Sequence, residues 1–511
     1  MIRIKSAFAI GIHAFPVDIE VDISDGLPQL ILVGLADTSI KEARERVRTA
    51  LKNSGFHIPP DKITISLAPA DIKKEGAAFD FPIALGILAC HGIIPPEKIA
   101  GHIFLGELAL DGALRPMRGV IAITTGLMSS SFVLPSENSA EAALAKDATV
   151  YPVKNLKETV GFLLGERTIE PIRNLPYKST PPSQNLPDFS EVKGQSAAKR
   201  ALEIAVSGEH KLLFIGPPGG GKTMLAKRIP ALLPPMNTEE ALEITKIHSV
   251  AGLIPRGTGL ISERPFRSPH YTASAIALAD GGPSHRPGEM SLAHGGILFL
   301  DELPEFRRDA LETLRGPLED GCITISRAKS QITFPANFLL VAAMNPSPCE
   351  YLDDARKKCR CSLGQIHKYQ SKISGPVLDR IDLNIEVPAL SFQTLTSQDP
   401  AESSATVRER IGACRKVQRS RYRMRPYKTN SQMNPKAIKE FATPDLRGRK
   451  LIEMAMKELH LSARAYLRIP MISKKVSLSI GMPCRFESER GVGFNRNGVS
   501  LSSGFHILQD S

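Results

Sequence analysis

The stretch FIGPPGGGKTML, residues 214–225, places four glycines and two prolines between an apolar run and a Lys-Thr pair. It satisfies the pattern G-x-x-x-x-G-K-T, in which a glycine-rich loop turns backbone N–H groups towards phosphate oxygens. The letters KLLFI before the loop predict a short buried strand, and MLAKRI after it predicts a helix whose positive end faces the same anion. The stretch therefore predicts a phosphate-binding loop on an α/β sheet.

The loop residues have expected parts in binding a nucleotide. In this type of loop the lysine, here Lys222, reaches the β- and γ-phosphates, and the threonine, here Thr223, ligates Mg²⁺. ATP and Mg²⁺ are therefore the expected ligands. A glycine-rich turn that matches by chance is the alternative, and the flanking strand and helix speak against it. The predicted loop comprises Gly216, Pro217, Pro218, Gly219, Gly220, Gly221, Lys222 and Thr223.

Polar residues also follow two later apolar runs. The letters ILFL, residues 297–300, predict a strand buried on both faces, and Asp301 and Glu302 follow it. Asp301 is expected to hold Mg²⁺ and Glu302 to polarise the attacking water, with a helix N-cap pair as the alternative. The other run, FLLVAAM, is followed directly by Asn345. Asn345 resembles the polar residue that orients the attacking water in many P-loop ATPases of the AAA+ class. An ordinary Asn-Pro turn is the alternative for Asn345.

Chain length, net charge and cysteine spacing limit the number of domains, the expected location and the kind of partner. A chain of 511 residues is long enough for two to four domains. No apolar run is long enough for a membrane span, and seven cysteines at irregular spacing do not resemble a disulfide framework, so a cytoplasmic protein with no membrane partner is expected. The net charge of +12 favours a polyanionic partner, although many enzymes that bind phosphates are also basic.

Composition divides the chain into segments. A proline-rich stretch, PIRNLPYKSTPPSQNLPDF, predicts a linker between an N-terminal domain and the module that carries the phosphate-binding loop. A basic segment, residues 407–428, is interpreted as the solvated face of a helix rather than a nucleic-acid site. The predicted segments are an N-terminal domain (1–165), a linker (166–187), an ATPase domain (188–390), a helical lid (391–469) and a tail (470–511).

Four longer strings carry a family resemblance: RPFRSPHYTASA, RPGEMSLAHGGILFLDELPEF, VAAMNPSPC and ISGPVLDRIDLNIEVP. They resemble the YifB/ComM family of magnesium-chelatase-like AAA+ ATPases over about residues 1–469. The resemblance implies an α/β architecture with a Lon-protease-like α+β domain, a P-loop AAA+ domain and a small helical lid. It also implies a hexameric ring that acts on single-stranded or branched DNA, as a branch-migration helicase or translocase in natural transformation or recombination. An ATPase that remodels a protein partner, like magnesium chelatase or MoxR, stays open.

The resemblance assigns four basic residues. Arg380 resembles an arginine finger that reaches the ATP of a neighbouring subunit, with a salt bridge to Asp379 or Asp382 as the alternative. Arg464 resembles the sensor-2 arginine of the lid. The letters GCITISRAKSQITFPANF alternate like a hairpin, and Arg327 and Lys329 near its turn are the candidates for contacts with DNA phosphates. A basic hairpin tip without function is an equally open alternative.

The N-terminal domain lacks the groups of a peptidase. Where the Lon resemblance places the nucleophile this chain has Ala78, and where it places the lysine this chain has Ile123. Neither side chain can perform or activate acyl transfer, so we expect a scaffold rather than a protease.

Three cysteines form a further candidate metal site. Cys349, Cys359 and Cys361 could hold Zn²⁺ if His367 or another group completed a tetrahedron. Family members often have a further cysteine where this chain has Ser347, and free thiols without a metal are therefore the favoured interpretation.

The tail departs from the family because Pro470 ends a helix and the following Gly/Ser-rich residues lack a helical period. A frameshifted or disordered tail is expected there.

Overall fold

The computed structural model describes residues 1–27, 29–33, 42–59, 61–69, 78–127, 130–173, 186–255, 257, 259–282, 286–327, 330–352, 354, 356–396, 401–444, 446–459, 494–495 and 498–501. The chain forms two compact units. The first comprises residues 1–179, 237–262 and 285–287, and the second comprises residues 180–236, 263–284 and 288–511. Within the described ranges, no helix has the length and apolar character needed to cross a membrane.

A mixed seven-stranded sheet forms the centre of the first unit, in the order β3-β4-β2-β1-β5-β8-β9. The pairs β4/β2 and β2/β1 are antiparallel, and the pairs β3/β4, β1/β5, β5/β8 and β8/β9 are parallel. A short antiparallel pair, β6/β7, lies outside it. The strands are β1 (Ile2–Ile10), β2 (His13–Ser24), β3 (Gln29–Val33), β4 (Lys62–Ala68), β5 (His102–Phe104), β6 (Glu107–Leu108), β7 (Leu114–Arg115), β8 (Ser131–Pro135) and β9 (Thr149–Val153).

Helices cover both faces of this sheet because its strands alternate between two apolar clusters. On β8, Val133 belongs to one cluster, whereas Phe132 and Leu134 belong to the other. The first cluster includes the helix Asp80–Cys90, in which nearly every side chain is buried. The helices of this unit are Ala43–Asn53, Asp80–Cys90, Pro96–Ile99, Val120–Gly126, Ser139–Ala142, Leu156–Leu164 and Thr238–Ala251, with a 3₁₀ turn at Ser136–Asn138.

The helix Thr238–Ala251 belongs to the first unit although it lies within the predicted ATPase segment of the sequence. It packs against the helix Val120–Gly126, and Gly119 N–H donates to the carbonyl of Ser249 at 3.3 Å. The Ser249 hydroxyl donates to the carboxylate of Glu141, which is buried and also accepts the backbone N–H of Ile121 at 3.0 Å. The long insertion that follows the P-loop therefore contributes a helix to the N-terminal core.

A largely parallel sheet forms the second unit, in the order β11-β12-β15-β10-β16-β18-β17. All its neighbouring pairs are parallel except β17/β18. The predicted hairpin is present as a separate antiparallel pair, β13/β14. The strands are β10 (Leu212–Ile215), β11 (Phe266–Arg267), β12 (Ile297–Leu300), β13 (Cys322–Arg327), β14 (Ser330–Pro335), β15 (Leu339–Met344), β16 (Leu383–Glu386), β17 (Phe494–Asn495) and β18 (Gly498–Leu501).

Two neighbouring inner strands, β12 and β15, are buried at every residue, as expected for parallel strands with both faces covered. The helices of this unit are Ser196–Gly208, Lys222–Ala226, Ile229–Leu232, Ala275–Ala279, Glu289–Leu292, Arg308–Glu312, Arg315–Asp320, Leu363–Gln370, Gly375–Leu378, Phe392–Thr396, Ser404–Arg421, Pro435–Phe441 and Leu446–Leu459. Short 3₁₀ turns lie at Phe189–Glu191, Leu303–Glu305 and Asn430–Gln432.

The C-terminal helical region attaches to this unit through the basic segment. Arg410 pairs with Glu203 at 2.8 Å and with Glu402 at 2.7 Å, and Arg415 pairs with Glu209 at 2.8 Å. The expectation of a solvated helix face was wrong for these arginines, because they neutralise carboxylates of the neighbouring helices and fasten the helix Ser404–Arg421 to the sheet domain.

Candidate active site

Three neighbouring strands bring the predicted site residues to one edge of the sheet. The glycine-rich loop follows β10, Asp301 follows β12, and Asn345 follows β15, which lies between those two strands. Because the strands are parallel, their carboxyl ends meet at the same edge, which is where ligands of open α/β sheets bind. The sheet order thus places together residues that are far apart in sequence, such as Thr223 and Asp301, which are 78 positions apart, and Lys222 and Asn345, which are 123 positions apart.

Lys222 is the centre of the hydrogen bonds in this site. Its side chain is buried, and Nζ donates to the carbonyls of Gly216 at 2.6 Å and Pro217 at 3.0 Å and to Oδ1 of Asn345 at 3.0 Å. Burial lowers the pKa of Lys222, while the charges of Asp301, Glu350 and Glu302 act in the opposite direction. The ammonium group is therefore held by weak neutral acceptors that a phosphate could replace.

Thr223 and Asp301 form the candidate magnesium position. The Thr223 hydroxyl donates to Oδ2 of Asp301 at 2.7 Å, and Oδ1 of Asp301 accepts the N–H of Glu302 at 3.0 Å. A hydroxyl and a carboxylate are the hard oxygen donors that Mg²⁺ prefers. Glu302 has an exposed side chain and a left-handed backbone, with φ at 54°. A non-glycine residue in that conformation is strained, as is common at functional sites.

Two loop glycines are required by the backbone geometry. A Cβ atom on Gly216 would lie 2.1 Å from the carbonyl oxygen of Val387, so the loop can approach the residue after β16 this closely only without a side chain. Gly221 has φ at 91°, a left-handed conformation that side chains disfavour, and a Cβ there would meet open space. The loop is therefore an open backbone cradle of the kind that a phosphate group fits.

Two residues outside the recognised motifs support the cradle. Gln195 Nε2 donates to the carbonyl of Gly220 at 2.9 Å and to that of Pro388 at 2.7 Å, which ties the loop to the residues after β16. Gln195 adopts a left-handed φ of 53° to do so. On the other side, Asn345 Nδ2 donates to Oε1 of Glu350 at 2.9 Å. A Gly-Gln pair before a helix was visible in the sequence, but nothing there marked Glu350.

Arg380 lies within the unit in a specific ion pair. Its side chain is buried, Nη2 is 2.7 Å from Oε1 of Glu319, and Nη1 donates to the carbonyl of Pro376 at 2.5 Å. The side chain's Nε atom has no hydrogen-bond partner among the described residues. Glu319 is therefore a salt-bridge partner of Arg380, a pairing that sequence proximity did not indicate.

The other basic residues predicted to contact DNA or ATP are only partly covered by the structure. Arg327 is the last residue of β13, and its backbone pairs with Ser330 across the hairpin. Lys329 and Arg464 lie outside the described residues. In the insertion loop, Arg264 donates to the carbonyl of Gly295 at 2.7 Å, and Arg267 forms a two-pronged pair with Glu289 at 2.7 and 2.6 Å. The last two arginines therefore brace the fold.

The positions of the absent peptidase groups are apolar and packed. Ile123 is fully buried, and Ala78 packs against the same apolar cluster. Two residues beyond Ala78, the buried Asp80 accepts Arg46 Nε at 2.6 Å and Nη2 at 3.1 Å. Burial raises the pKa of Asp80 to about 6, and the Arg46 guanidinium opposes that shift. These contacts hold the Asp80 carboxylate at the start of the helix Asp80–Cys90.

Comparison with known proteins agrees with this arrangement. The competence protein ComM of Haemophilus influenzae is 43% identical over 481 residues, 93% of each chain. The YifB protein of Salmonella typhimurium is 42% identical over 475 residues, 92% of this chain and 91% of the relative. The chain belongs to the YifB/ComM family. The magnesium chelatase subunit ChlI model matches residues 188–395, the segment that contains the site.

Further family models match segments on either side of the ATPase segment. The model of subunit ChlI of Mg-chelatase matches residues 19–138, and the ChlI C-terminal model matches residues 401–477. Lon protease 2 of Bacillus subtilis is 25% identical over 239 residues, 42% of this chain and 43% of the relative, a distant similarity. The predicted family and α/β fold class are confirmed, and membership of this AAA family implies ATP hydrolysis with Mg²⁺.

Proposed function

We propose that this protein is an ATP-driven, ring-forming motor that acts on DNA in the cytoplasm, as a branch-migration helicase or translocase serving transformation or recombination. The observation that carries the proposal is the 43% identity to a competence protein over 93% of both chains, together with the contacts of Lys222 with Asn345 and of Thr223 with Asp301 at the sheet edge. Uptake and integration of DNA produce single-stranded and branched molecules, which are the substrates such a motor would move.

The bound nucleotide would lie in the glycine-rich cradle. Lys222 would exchange its backbone carbonyls for the β- and γ-phosphate oxygens, because a charged acceptor binds an ammonium group more strongly than a neutral one. Thr223 and Asp301, which already lie within 2.7 Å of each other, would hold Mg²⁺. When bound, Mg²⁺ supplies positive charge that offsets the charge of the phosphates.

Hydrolysis needs a water aligned with the terminal phosphate. Glu302 would accept a proton from that water, because its side chain is exposed just after the strand that ends at Leu300. Asn345 would orient the water through its side-chain amide, which now bridges Lys222 and Glu350. Arg464 would contact the γ-phosphate from the lid.

Assembly would complete the site. Arg380 would stabilise the charge that develops on the phosphoryl group of a neighbouring subunit, and a hexamer is the assembly that the family resemblance implies. Because Arg380 is paired with Glu319 in the single chain, the interface would have to offer the guanidinium a more favourable partner than this carboxylate. Hydrolysis would then depend on ring formation.

Contacts with DNA would come from the hairpin β13/β14. Lys329 at its turn and Arg327 beside it would bind backbone phosphates, which requires no particular base sequence. The net charge of +12 favours association with a polyanion.

A second candidate is an ATPase that remodels a protein partner. It is favoured by the magnesium chelatase subunit models, which match residues 19–138, 188–395 and 401–477. It is also favoured by the internal pairing of Arg267, Arg410 and Arg415, which uses basic charge within the fold.

A branch-migration assay separates the two candidates. The full chain is incubated with a labelled three- or four-stranded junction, ATP and Mg²⁺, and the displaced strand is followed by gel electrophoresis. The motor proposal expects ATP-dependent displacement that Lys222→Ala abolishes. A chain that hydrolyses ATP yet moves no junction would favour the remodelling candidate.

A further inference from the structure

Three cysteines follow the strand end that carries Asn345, and their sulfur atoms converge. The Sγ atoms of Cys349, Cys359 and Cys361 all lie within 4.8 Å of one another, and those of Cys349 and Cys359 are 3.4 Å apart. These residues are partly exposed and form no disulfide. The sequence alone favoured thiols without a function, whereas the fold brings the three sulfur atoms to one point.

A fourth donor lies at the same point. The fully buried Ser347 has its Oγ atom 3.5 Å from Sγ of Cys349 and 3.8 Å from Sγ of Cys359. In a tetrahedral site with zinc–sulfur bonds of about 2.3 Å, neighbouring ligand atoms lie roughly 3.8 Å apart. The distances among Ser347, Cys349 and Cys359 are close to those edges. His367, which the sequence offered as a fourth ligand, is not part of this group.

A backbone amide also contacts the cluster. The N–H of Cys361 donates to Sγ of Cys359 at 3.5 Å. Hydrogen bonds of this kind commonly fix the directions in which the ligand atoms of a metal site point.

We propose that these side chains form a structural zinc site. Cys349, Cys359 and Cys361 would supply thiolates, and Ser347 Oγ would occupy the fourth corner as a neutral hydroxyl. Three soft sulfur ligands select Zn²⁺ over Mg²⁺ or Ca²⁺, which prefer oxygen. Each thiol would release its proton to solvent as its sulfur binds the ion, so no oxidant or reductant is involved.

The site would stabilise the turn that holds Asn345. Glu350, directly after Cys349, accepts the Asn345 amide at 2.9 Å and adopts a left-handed φ of 73°. Its N–H donates to the carbonyl of Ser347 at 2.9 Å. Ser347 and Cys349 both lie between Asn345 and Glu350, so an ion bound by these two side chains would hold this turn in place. The inference does not rest on the DNA proposal.

Metal content tests it directly. The full chain, purified under reducing conditions, is analysed for metals by mass spectrometry and, after exchange, for the thiolate-to-cobalt charge-transfer band with Co²⁺. We expect about one zinc ion per chain. Cys359→Ser and Cys361→Ser should lose the zinc and the cobalt band, whereas the matched control Cys322→Ser, at the start of β13, should keep both.

A second variant guards against misfolding. Ser347→Cys supplies a fourth thiolate, so it should retain the ion more tightly against a chelator than the parent does. The account is wrong if the parent chain holds no zinc and takes up neither Zn²⁺ nor Co²⁺. It is equally wrong if alkylation in freshly broken cells shows Cys349 and Cys359 joined as a disulfide, or if Cys322→Ser loses as much metal as Cys359→Ser.

Discussion

The Nζ atom of Lys222 and the Oδ1 atom of Asn345 lie 3.0 Å apart, so the loop after β10 is joined directly to the end of β15. The same asparagine donates to Glu350 at 2.9 Å. If Lys222 turns towards a phosphate, Asn345 loses its donor and is free to bond to a water. Nucleotide binding would thus change the hydrogen bonds of Asn345, and this side chain would connect the bound nucleotide to the turn that contains Glu350.

Substitutions at Glu302 and Lys222 should separate hydrolysis from binding. Glu302→Gln removes the proton acceptor but leaves the phosphate contacts, so we expect normal ATP affinity with turnover lowered about 100-fold or more. Lys222→Ala removes a charge that meets the phosphates already in the ground state, so it should weaken nucleotide binding. Fluorescent-nucleotide titration and phosphate release measure the two effects. Parental turnover by Glu302→Gln would remove Glu302 from its assigned role.

Mixing two inactive variants tests whether Arg380 acts between subunits. Arg380→Ala should bind ATP yet lose turnover by about 1,000-fold, because it leaves the neighbouring site incomplete. Mixed with Lys222→Ala, it should regain part of the activity at interfaces that pair an intact loop with an intact arginine. Absence of recovery in verified mixed rings would contradict the assignment.

The Glu319 pairing adds a matched variant to this test. Glu319→Gln removes the charge that holds Arg380 within its own chain at 2.7 Å, so turnover in assembled rings should be maintained or increased. The exposed Arg315, which pairs with Glu312 at 3.1 Å, provides a control, and Arg315→Ala should change turnover little.

The hairpin proposal predicts a change in salt dependence. Lys329→Ala should weaken DNA binding similarly for all sequences and reduce the slope of log affinity against log salt by about one unit. Arg307→Ala removes a charge from an exposed pair with Asp309 and serves as the control. Fluorescence anisotropy at several salt concentrations gives both slopes. Equal slopes for Lys329→Ala and the parent would exclude this contact.

The pair of Glu209 and Arg415 predicts a pH dependence of stability. Burial alone would raise the pKa of Glu209, but the Arg415 charge and hydrogen bonds from Arg415 and Thr429 outweigh it and lower that pKa from 4.5. Since the folded pKa lies below the unfolded one, the stabilisation is present above about pH 4.5 and is lost as pH falls through the folded pKa.

Glu209→Gln should therefore lower the thermal unfolding midpoint at pH 7 and flatten its fall below about pH 4.5. We expect a cost of roughly 1–3 kcal/mol, because a hydrogen-bonded charge is lost from a partly buried pair. Glu409, which is exposed on the helix Ser404–Arg421, gives the matched control, since Glu409→Gln should leave the midpoint nearly unchanged. A Glu209→Gln chain with the parental pH profile would refute the assignment.

Local pattern was sufficient to predict the strand ends of this site. Four-residue apolar runs such as ILFL, followed directly by Asp301, predict buried parallel strands, and the structure places such strands next to one another. The loop glycines were predictable for the same reason, because their spacing reflects the geometry of a phosphate cradle.

Contacts between distant segments could not be predicted in this way. Glu319 is 61 positions before Arg380, and Gln195 is 25 positions before Gly220, so neither pairing has a periodic signal. The packing of helix Thr238–Ala251 on the N-terminal core has the same cause: its apolar face needs a partner, but the sequence does not identify which one. Likewise, the spacing of Cys349, Cys359 and Cys361 in the sequence did not predict that their sulfur atoms converge.

Steady-state ATP turnover of the full chain, measured with and without branched DNA at increasing salt, tests the central claim most directly. The account predicts stimulation by branched and single-stranded DNA that declines as salt rises, and its loss in the Lys222→Ala variant. Turnover by verified rings that is the same with and without DNA at low salt would contradict it.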